Sequence, residues 1–260
     1  MIIPDPKNSP GAFWQMARAM ATWCARAYDY CLVTDPHTGA AAHVTLDDDG
    51  DVIVAFRGSQ SVQDWMQDLE AWRVPLAFEP GQALAVEVHH GFLEDFDSID
   101  QRVIEAVKGM LLASPTAKIF VTGHSLGGGQ ASLCALEFAR LKLPLGGVFT
   151  FGQPRVGNRA YAQLYNSTPS ANPNFTLKDF TWRIVNAGDP VPLLPTLLMG
   201  YRDEANEIFL PANGGPQINP WIGLQAAGDA LGIFAAWRQH ELALLGNHHL
   251  AAYQERMTNL

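Results

Sequence analysis

The chain is 260 residues long, with 48% hydrophobic, 10% aromatic and 17% charged residues, enough apolar surface for a sizeable core and too much for a disordered polymer. Seventeen Lys and Arg against twenty-six Asp and Glu leave a net charge of −9, and no basic cluster offsets it. That balance argues against nucleic acid as a partner and against electrostatic attachment to an anionic membrane. The three cysteines, Cys24, Cys31 and Cys134, are too few and too scattered for a disulfide framework, and no CxxC pair suggests a zinc site. No cofactor or metal is expected. Residues 1–10 carry prolines and an acid where a secretory signal needs a basic end and an apolar run, and no stretch reads as a transmembrane helix. Together with a free thiol, this leans towards a cytoplasmic chain or one exported by a non-classical route.

Ser9 reads as an N-cap and Pro10 as the first residue of a helix. Phe13, Met16, Met20, Cys24, Ala27 and Tyr28 then recur at helical spacing. Ala41–Leu46 and Asp51–Phe56 flank the turn Asp47-Asp48-Asp49-Gly50 and predict a β-hairpin. Phe92, Phe96, Ile99, Val103, Val107 and Met110 predict one amphipathic helix that ends before Pro115. Ile119–Thr122 is a short apolar strand, Leu126 to about Leu141 a helix, and Val148–Phe151 and Trp182–Val185 are two further strands. Residues 200–240 fit no simple sheet element. They hold Pro211, Gly214-Gly215-Pro216 and Pro220, then an apolar stretch from Trp221 to Trp237, and read as a late insertion capping one end of the sheet. Strands alternating with helices predict a single α/β domain over residues 1–260, with a mostly parallel sheet covered on both faces.

The segment Gly123-His124-Ser125-Leu126-Gly127 matches G-x-S-x-G. Composition alone yields such a match in about one chain in ten of this length. Its setting is more specific: it follows an apolar strand and opens a helix, as a nucleophile elbow requires. The glycines make room around a strained serine, and the helix N-terminus offers N–H groups where an oxyanion would form. A serine nucleophile needs a histidine base and an orienting carboxylate, in the chain order Ser, Asp/Glu, His for this architecture. Asp189 follows the strand Trp182–Val185 on a loop at its C-terminal end, a usual place for catalytic groups in α/β sheets, although an aspartate before proline is also a common turn residue. After Ser125 the histidines are His240, His248 and His249. His124, beside the serine on the elbow, is expected to point away and serve packing and hydrogen bonding.

These segments extend to a wider pattern. Phe56-Arg57-Gly58-Ser59, Asp64-Trp65, Val88-His89-His90-Gly91-Phe92, Gly123–Gly128, Phe151-Gly152-Gln153-Pro154-Arg155-Val156-Gly157, Asp189-Pro190-Val191-Pro192 with Pro195, and Asn247-His248-His249-Leu250 with Tyr253 occur in this order. In that series the chain resembles the class 3 (fungal-type) lipase family, whose members have the α/β-hydrolase fold. The resemblance implies Ser125 as nucleophile, Asp189 as orienter and His248 as base, with His249 as runner-up. It implies oxyanion donors at Ser59 and Leu126, and a lid over residues 61–69 with Trp65, Met66 and Leu69 as apolar members. His89 and His90 are expected to be packing residues.

The expected activity is that of a serine hydrolase acting on carboxylic esters, a triacylglycerol lipase or carboxylesterase working through an acyl-enzyme. The expected partner is a lipid or small ester substrate, met at a lipid–water interface; the oligomeric state is left open. A phospholipase A1, as a toxin or effector, is the nearest alternative. A catalytically silent binding protein on the same fold is the alternative from another class.

Overall fold

The computed structural model of the chain describes residues 3–59, 72–76, 86–220, 246–258 and 260. Helix α1 is Pro10–Asp29; Ser9 stands at its N-cap, but its hydroxyl makes no capping bond, so proline alone marks the start. Strand β1 is Val33–Thr34, and β2 (Ala41–Leu46) and β3 (Val52–Phe56) form the expected hairpin, paired from Ala42↔Phe56 to Leu46↔Val52. The short strands β4 (Arg73–Pro75) and β5 (Glu87–His89) follow.

The one helix expected from Phe92 to Met110 is two, α2 (His90–Asp97) and α3 (Asp100–Ala113). The Ser98 hydroxyl folds back to the Asp95 carbonyl at 2.7 Å, and Ile99 leaves the helical region at φ −128°. Phe96, Ile99 and Val103 stay buried across the break, so the apolar spacing carries no trace of it.

Strand β6 (Ile119–His124) runs into α4 (Leu126–Arg140), followed by β7 (Leu145–Phe151), β8 (Gly157–Asn158), α5 (Arg159–Ser167), α6 (Leu177–Phe180) and β9 (Thr181–Asn186). Strands β10 (Tyr201–Arg202), β11 (Asn206–Leu210) and β12 (Gln217–Ile218) come next, and α7 (Leu250–Thr258) is the last element. The main sheet has the order β1-β2-β3-β6-β7-β9-β11-β12, with β3, β6, β7, β9 and β11 mutually parallel. A second, small sheet has the order β10-β8-β5-β4.

Every residue of β3, β6 and β7 is buried, because helices cover both faces of the sheet. Val52, Val54 and Phe56 pack with Phe92, Val103 and Phe138 on one side. Ile53, Phe120 and Phe149 pack with Phe13, Trp14 and Tyr253 on the other. The parallel strands direct their C-terminal ends to one edge, where Ser125 and the loop after β9 lie.

The stretch expected to lack sheet structure supplies three strands, and β11 pairs with β9 from Asn206↔Trp182 to Leu210↔Asn186. Its acidic approach, Asp203-Glu204, suggests a surface loop. The reason it is core lies far away in sequence: Arg183, only 1% exposed, meets Asp203 Oδ1 at 3.1 Å, Arg155 meets Asp203 Oδ2 at 3.0 Å, and the Ser132 hydroxyl donates to Glu204 at 2.8 Å. Residues 221–240, the remainder of the expected insertion, lie outside the described residues. So does the expected lid, 61–69, with Trp65, Met66 and Leu69.

Candidate active site

Strand β6 ends at His124 and helix α4 begins at Leu126, which leaves Ser125 alone to make the turn at φ 59°, ψ −130°. A non-glycine residue held there stores about 1–3 kcal/mol of strain. The turn is clamped on both sides: Ser125 N–H donates to the Phe151 carbonyl at 3.0 Å, and Gly128 N–H donates to the Ser125 carbonyl at 2.8 Å. A Cβ on Gly123 would land on the Gly127 carbonyl, and one on Gly127 would land on the Phe56 carbonyl, so both motif glycines are required by close approach. Ser125 is fully buried, and its Oγ has no hydrogen-bond partner.

Strand β9 ends at Asn186, and the chain turns through Gly188 (φ 78°) to present Asp189. The carboxylate accepts the Val191 N–H at Oδ1 (2.9 Å) and the His248 Nδ1–H at 3.0 and 2.9 Å. The Tyr253 hydroxyl, from α7, donates to Oδ2. Asp189 is 3% and His248 1% exposed. With Nδ1–H donated to a carboxylate, Nε2 is the acceptor of the ring, and it has no partner. His249 is exposed, so of the two neighbouring histidines it is His248 that meets Asp189. The loop that carries His248 is tied down through its carbonyls: Asn186 Nδ2 donates to Asn247 O at 3.2 Å, and His124 Nε2 to His248 O at 2.7 Å.

Gly58, two residues beyond β3, packs against the elbow so closely that a Cβ there would come within 3.3 Å of Ser125 Cβ. Ser59, next in the chain, is half-buried beside it. Leu126 opens α4, so its N–H belongs to the first turn, where backbone donors lack intrahelical acceptors and the helix dipole is positive. Burial, and secondarily the neighbouring His248, lower the His124 pKa to about 3, so that ring is neutral. His89 is buried and stacked on Phe92 with ring centroids 4.3 Å apart; His90 is partly exposed and pairs with Glu94 at 3.7 Å. Among the described residues no group of three His, Cys, Asp or Glu is placed to hold a metal ion, and no helix is long and apolar enough to cross a membrane.

Three parts of this arrangement were not anticipated. Tyr253 was legible only as a spacing partner of His248, not as a donor to Asp189. Gly152, at φ 60°, leaves the space in which Asp189 and His248 meet. Tyr28 was one member of a helix face, yet its hydroxyl lies 2.9 Å from His124 Nδ1.

The family model for lipase (class 3) matches residues 53–199, a span that includes the elbow and Asp189. The chain is 32% identical over 185 residues to a secreted mono- and diacylglycerol lipase 1 of Fusarium solani, covering 71% of this chain and 51% of that one. It superposes on the triacylglyceride lipase of Rhizomucor miehei with a TM-score of 0.64 at 27% identity, covering 75% of this chain and 79% of that one. It also superposes on a triacylglycerol lipase whose catalytic centre is a serine protease triad, with a TM-score of 0.62 at 26% identity, covering 80% of this chain and 82% of that one. These likenesses and the mostly parallel sheet identify an α/β-hydrolase fold. The chain spans about half the length of the curated relatives it matches. The Fusarium relative and further curated relatives are secreted lipases. Their names run against the expectation of a chain that is cytoplasmic or exported by a non-classical route, which rested on the first ten residues and a free thiol.

Proposed function

The chain belongs to the class 3 lipase family, and on that premise we propose that it is a serine ester hydrolase acting on acylglycerols and related carboxylic esters. The observation that carries the proposal is a strained Ser125 whose buried Oγ has no hydrogen-bond partner, together with a buried His248–Asp189 couple whose Nε2 has none either. Ser125 Oγ attacks the ester carbonyl carbon, and its proton passes to His248 Nε2. Asp189 holds the Nδ1–H tautomer and stabilises the imidazolium. The negative oxygen of the tetrahedral intermediate takes backbone N–H groups from Ser59 and Leu126. The carbon–oxygen bond to the alcohol breaks as His248 returns the proton to that oxygen. Water then attacks the acyl-enzyme with the same base and releases the acid. The relatives' names support acylglycerols as the substrate class, and a lipid–water interface is where such substrates are met.

The test is hydrolysis of p-nitrophenyl esters from acetate to palmitate, with Ser125→Ala as control. The variant is expected to lose about 10⁴-fold or more in kcat, because triad members act as a unit. A Ser125→Ala enzyme with the parent rate overturns the proposal. Labelling by a fluorophosphonate separates an activated serine from a silent scaffold. A preference for phospholipid over triglyceride emulsions would move the assignment to a phospholipase A1.

A further inference from the structure

A hydroxyl from the first helix stands where three loops of the candidate site meet. Tyr28 lies near the C-terminal end of α1, outside the residues 53–199 matched by the family model. Its Oη is 2.9 Å from His124 Nδ1, and His124 Nε2 is 2.7 Å from the His248 carbonyl oxygen. A carbonyl only accepts, so Nε2 carries the proton of this neutral ring. Nδ1 is then bare and must accept, which makes the Tyr28 hydroxyl the donor. Gly58 packs against the same hydroxyl so closely that a Cβ there would land on it. The bonds therefore run in one direction, from Tyr28 O–H to His124 Nδ1 and from His124 Nε2–H to His248 O.

We propose that Tyr28 is a positioning residue: through Gly58 it sets the loop that carries Ser59, and through His124 it sets the imidazole of His248 against Ser125. This rests on the serine-hydrolase reading given above. The His248 loop is irregular before α7, and side-chain bonds to its carbonyls hold it. The rings of His124 and His248 lie 4.7 Å apart, so a charged His124 would oppose the imidazolium that forms at each turnover. A hydroxyl donating to Nδ1 keeps that nitrogen occupied and the ring neutral. Phenylalanine would fill the same volume and make none of these bonds. Displacements of about 1 Å in such a site cost on the order of 10²-fold in rate.

The test compares Tyr28→Phe with the parent enzyme in p-nitrophenyl ester hydrolysis, with a thermal melt of each protein and Ser125→Ala alongside. The expected result is a fall in kcat of about tenfold or more with KM within about twofold, and a melting temperature near that of the parent. On a His124→Gln background, which keeps a donor for the His248 carbonyl but cuts the link at Nδ1, Tyr28→Phe costs less than it does alone. Parent-like kcat in Tyr28→Phe, a loss confined to KM, or the same factor on both backgrounds overturns the role. If Tyr28→Phe does not fold, the kcat of His124→Gln at unchanged KM decides instead, and a parent-like value overturns it. A Ser125→Ala enzyme that keeps its activity sinks the hydrolase reading itself, whereas an inactive Ser125→Ala with an unimpaired Tyr28→Phe removes only the role of Tyr28.

Discussion

Gly152 sits at φ 60°, where a Cβ would come 2.9 Å from Asp189 Oδ2 and 3.0 Å from His248 Nδ1. Both its backbone and its missing side chain are thus required by the couple it borders. Gly152→Ala is expected to lower kcat by about 100-fold or more by pushing the imidazole off its carboxylate. Because the neighbours are side chains and a loop, the sheet should survive; kcat together with near-ultraviolet circular dichroism checks both halves. At this scale the motif residues were readable because each sits in a fixed local setting. Ser125 lies between strand and helix, and Asp189 lies after a strand. Local spacing could not choose between His248 and His249, since the choice depends on which ring the loop turns onto Asp189. Nor could it reveal the Tyr28 and Tyr253 hydroxyls. A tyrosine at helical spacing looks the same in sequence whether its oxygen is bonded or solvated.

Helices α2 and α4 meet through Asp95 and Gln130, whose Nε2 donates to Asp95 Oδ2 at 3.3 Å while its buried Oε1 has no partner. Burial, partly offset by that bond, pushes the Asp95 carboxyl up to about 6. The folded protein therefore keeps this proton to higher pH than the unfolded chain, whose ordinary value is about 3.9. The associated stability is full below that value and is lost as pH rises through about 6. Asp95→Asn removes the charge and adds an N–H donor for Gln130 Oε1. It is expected to raise the melting temperature by about 3 °C at pH 7.5 and by less at pH 4.5. Melting curves at the two pH values check it; an equal shift at both would contradict the sign. Elements were legible where apolar periodicity alone defined them, as in α1, β3 and β6. The division of α2 from α3 escaped because Ser98 and Ile99 break the backbone without breaking the apolar stripe. Strand β11 escaped because its approach is acidic, and its cations, Arg155 and Arg183, come from other elements.

At the scale of the whole molecule, two buried histidines contribute a sensitivity to acid. Burial, aided by His90, lowers the His89 pKa to about 4, and burial, aided by His248, lowers that of His124 to about 3. The unfolded chain takes up these protons near pH 6.5, well before the folded one does. The histidines' contribution to stability is therefore full above about pH 6.5 and falls as pH drops towards 4. Asp203 acts in the same direction. Burial alone would raise its pKa, but the Arg183 and Arg155 guanidiniums more than reverse this, so its stabilisation is lost in acid. Asp95, Asp97, Glu204 and Glu207, whose pKa values are raised chiefly by burial, act in the opposite direction. His89 has no partner at either ring nitrogen, so His89→Phe removes a buried unsatisfied group and keeps the stack on Phe92. The variant is expected to be more stable than the parent by about 1 kcal/mol at pH 5, with a flatter dependence of melting temperature on pH. Denaturant unfolding at pH 5 and pH 7.5 tests this, and an unchanged slope would refute it.

What the amino-acid order determined by itself was the set of local commitments. These are the hairpin at Asp47–Gly50, the continuous apolar strands that demand a sheet covered on both faces, and an elbow whose glycines admit one strained serine. Each depends on interactions within a few residues, so each is written in the local pattern. The tertiary structure decided the rest: His248 rather than His249 on Asp189, Tyr253 and Tyr28 as hydroxyl donors, and Asp203 and Glu204 as core rather than loop. Those outcomes depend on partners separated by tens to hundreds of positions. A polar side chain carries no local mark of the distant group that will take its hydrogen bond, and only the closed fold brings the two together.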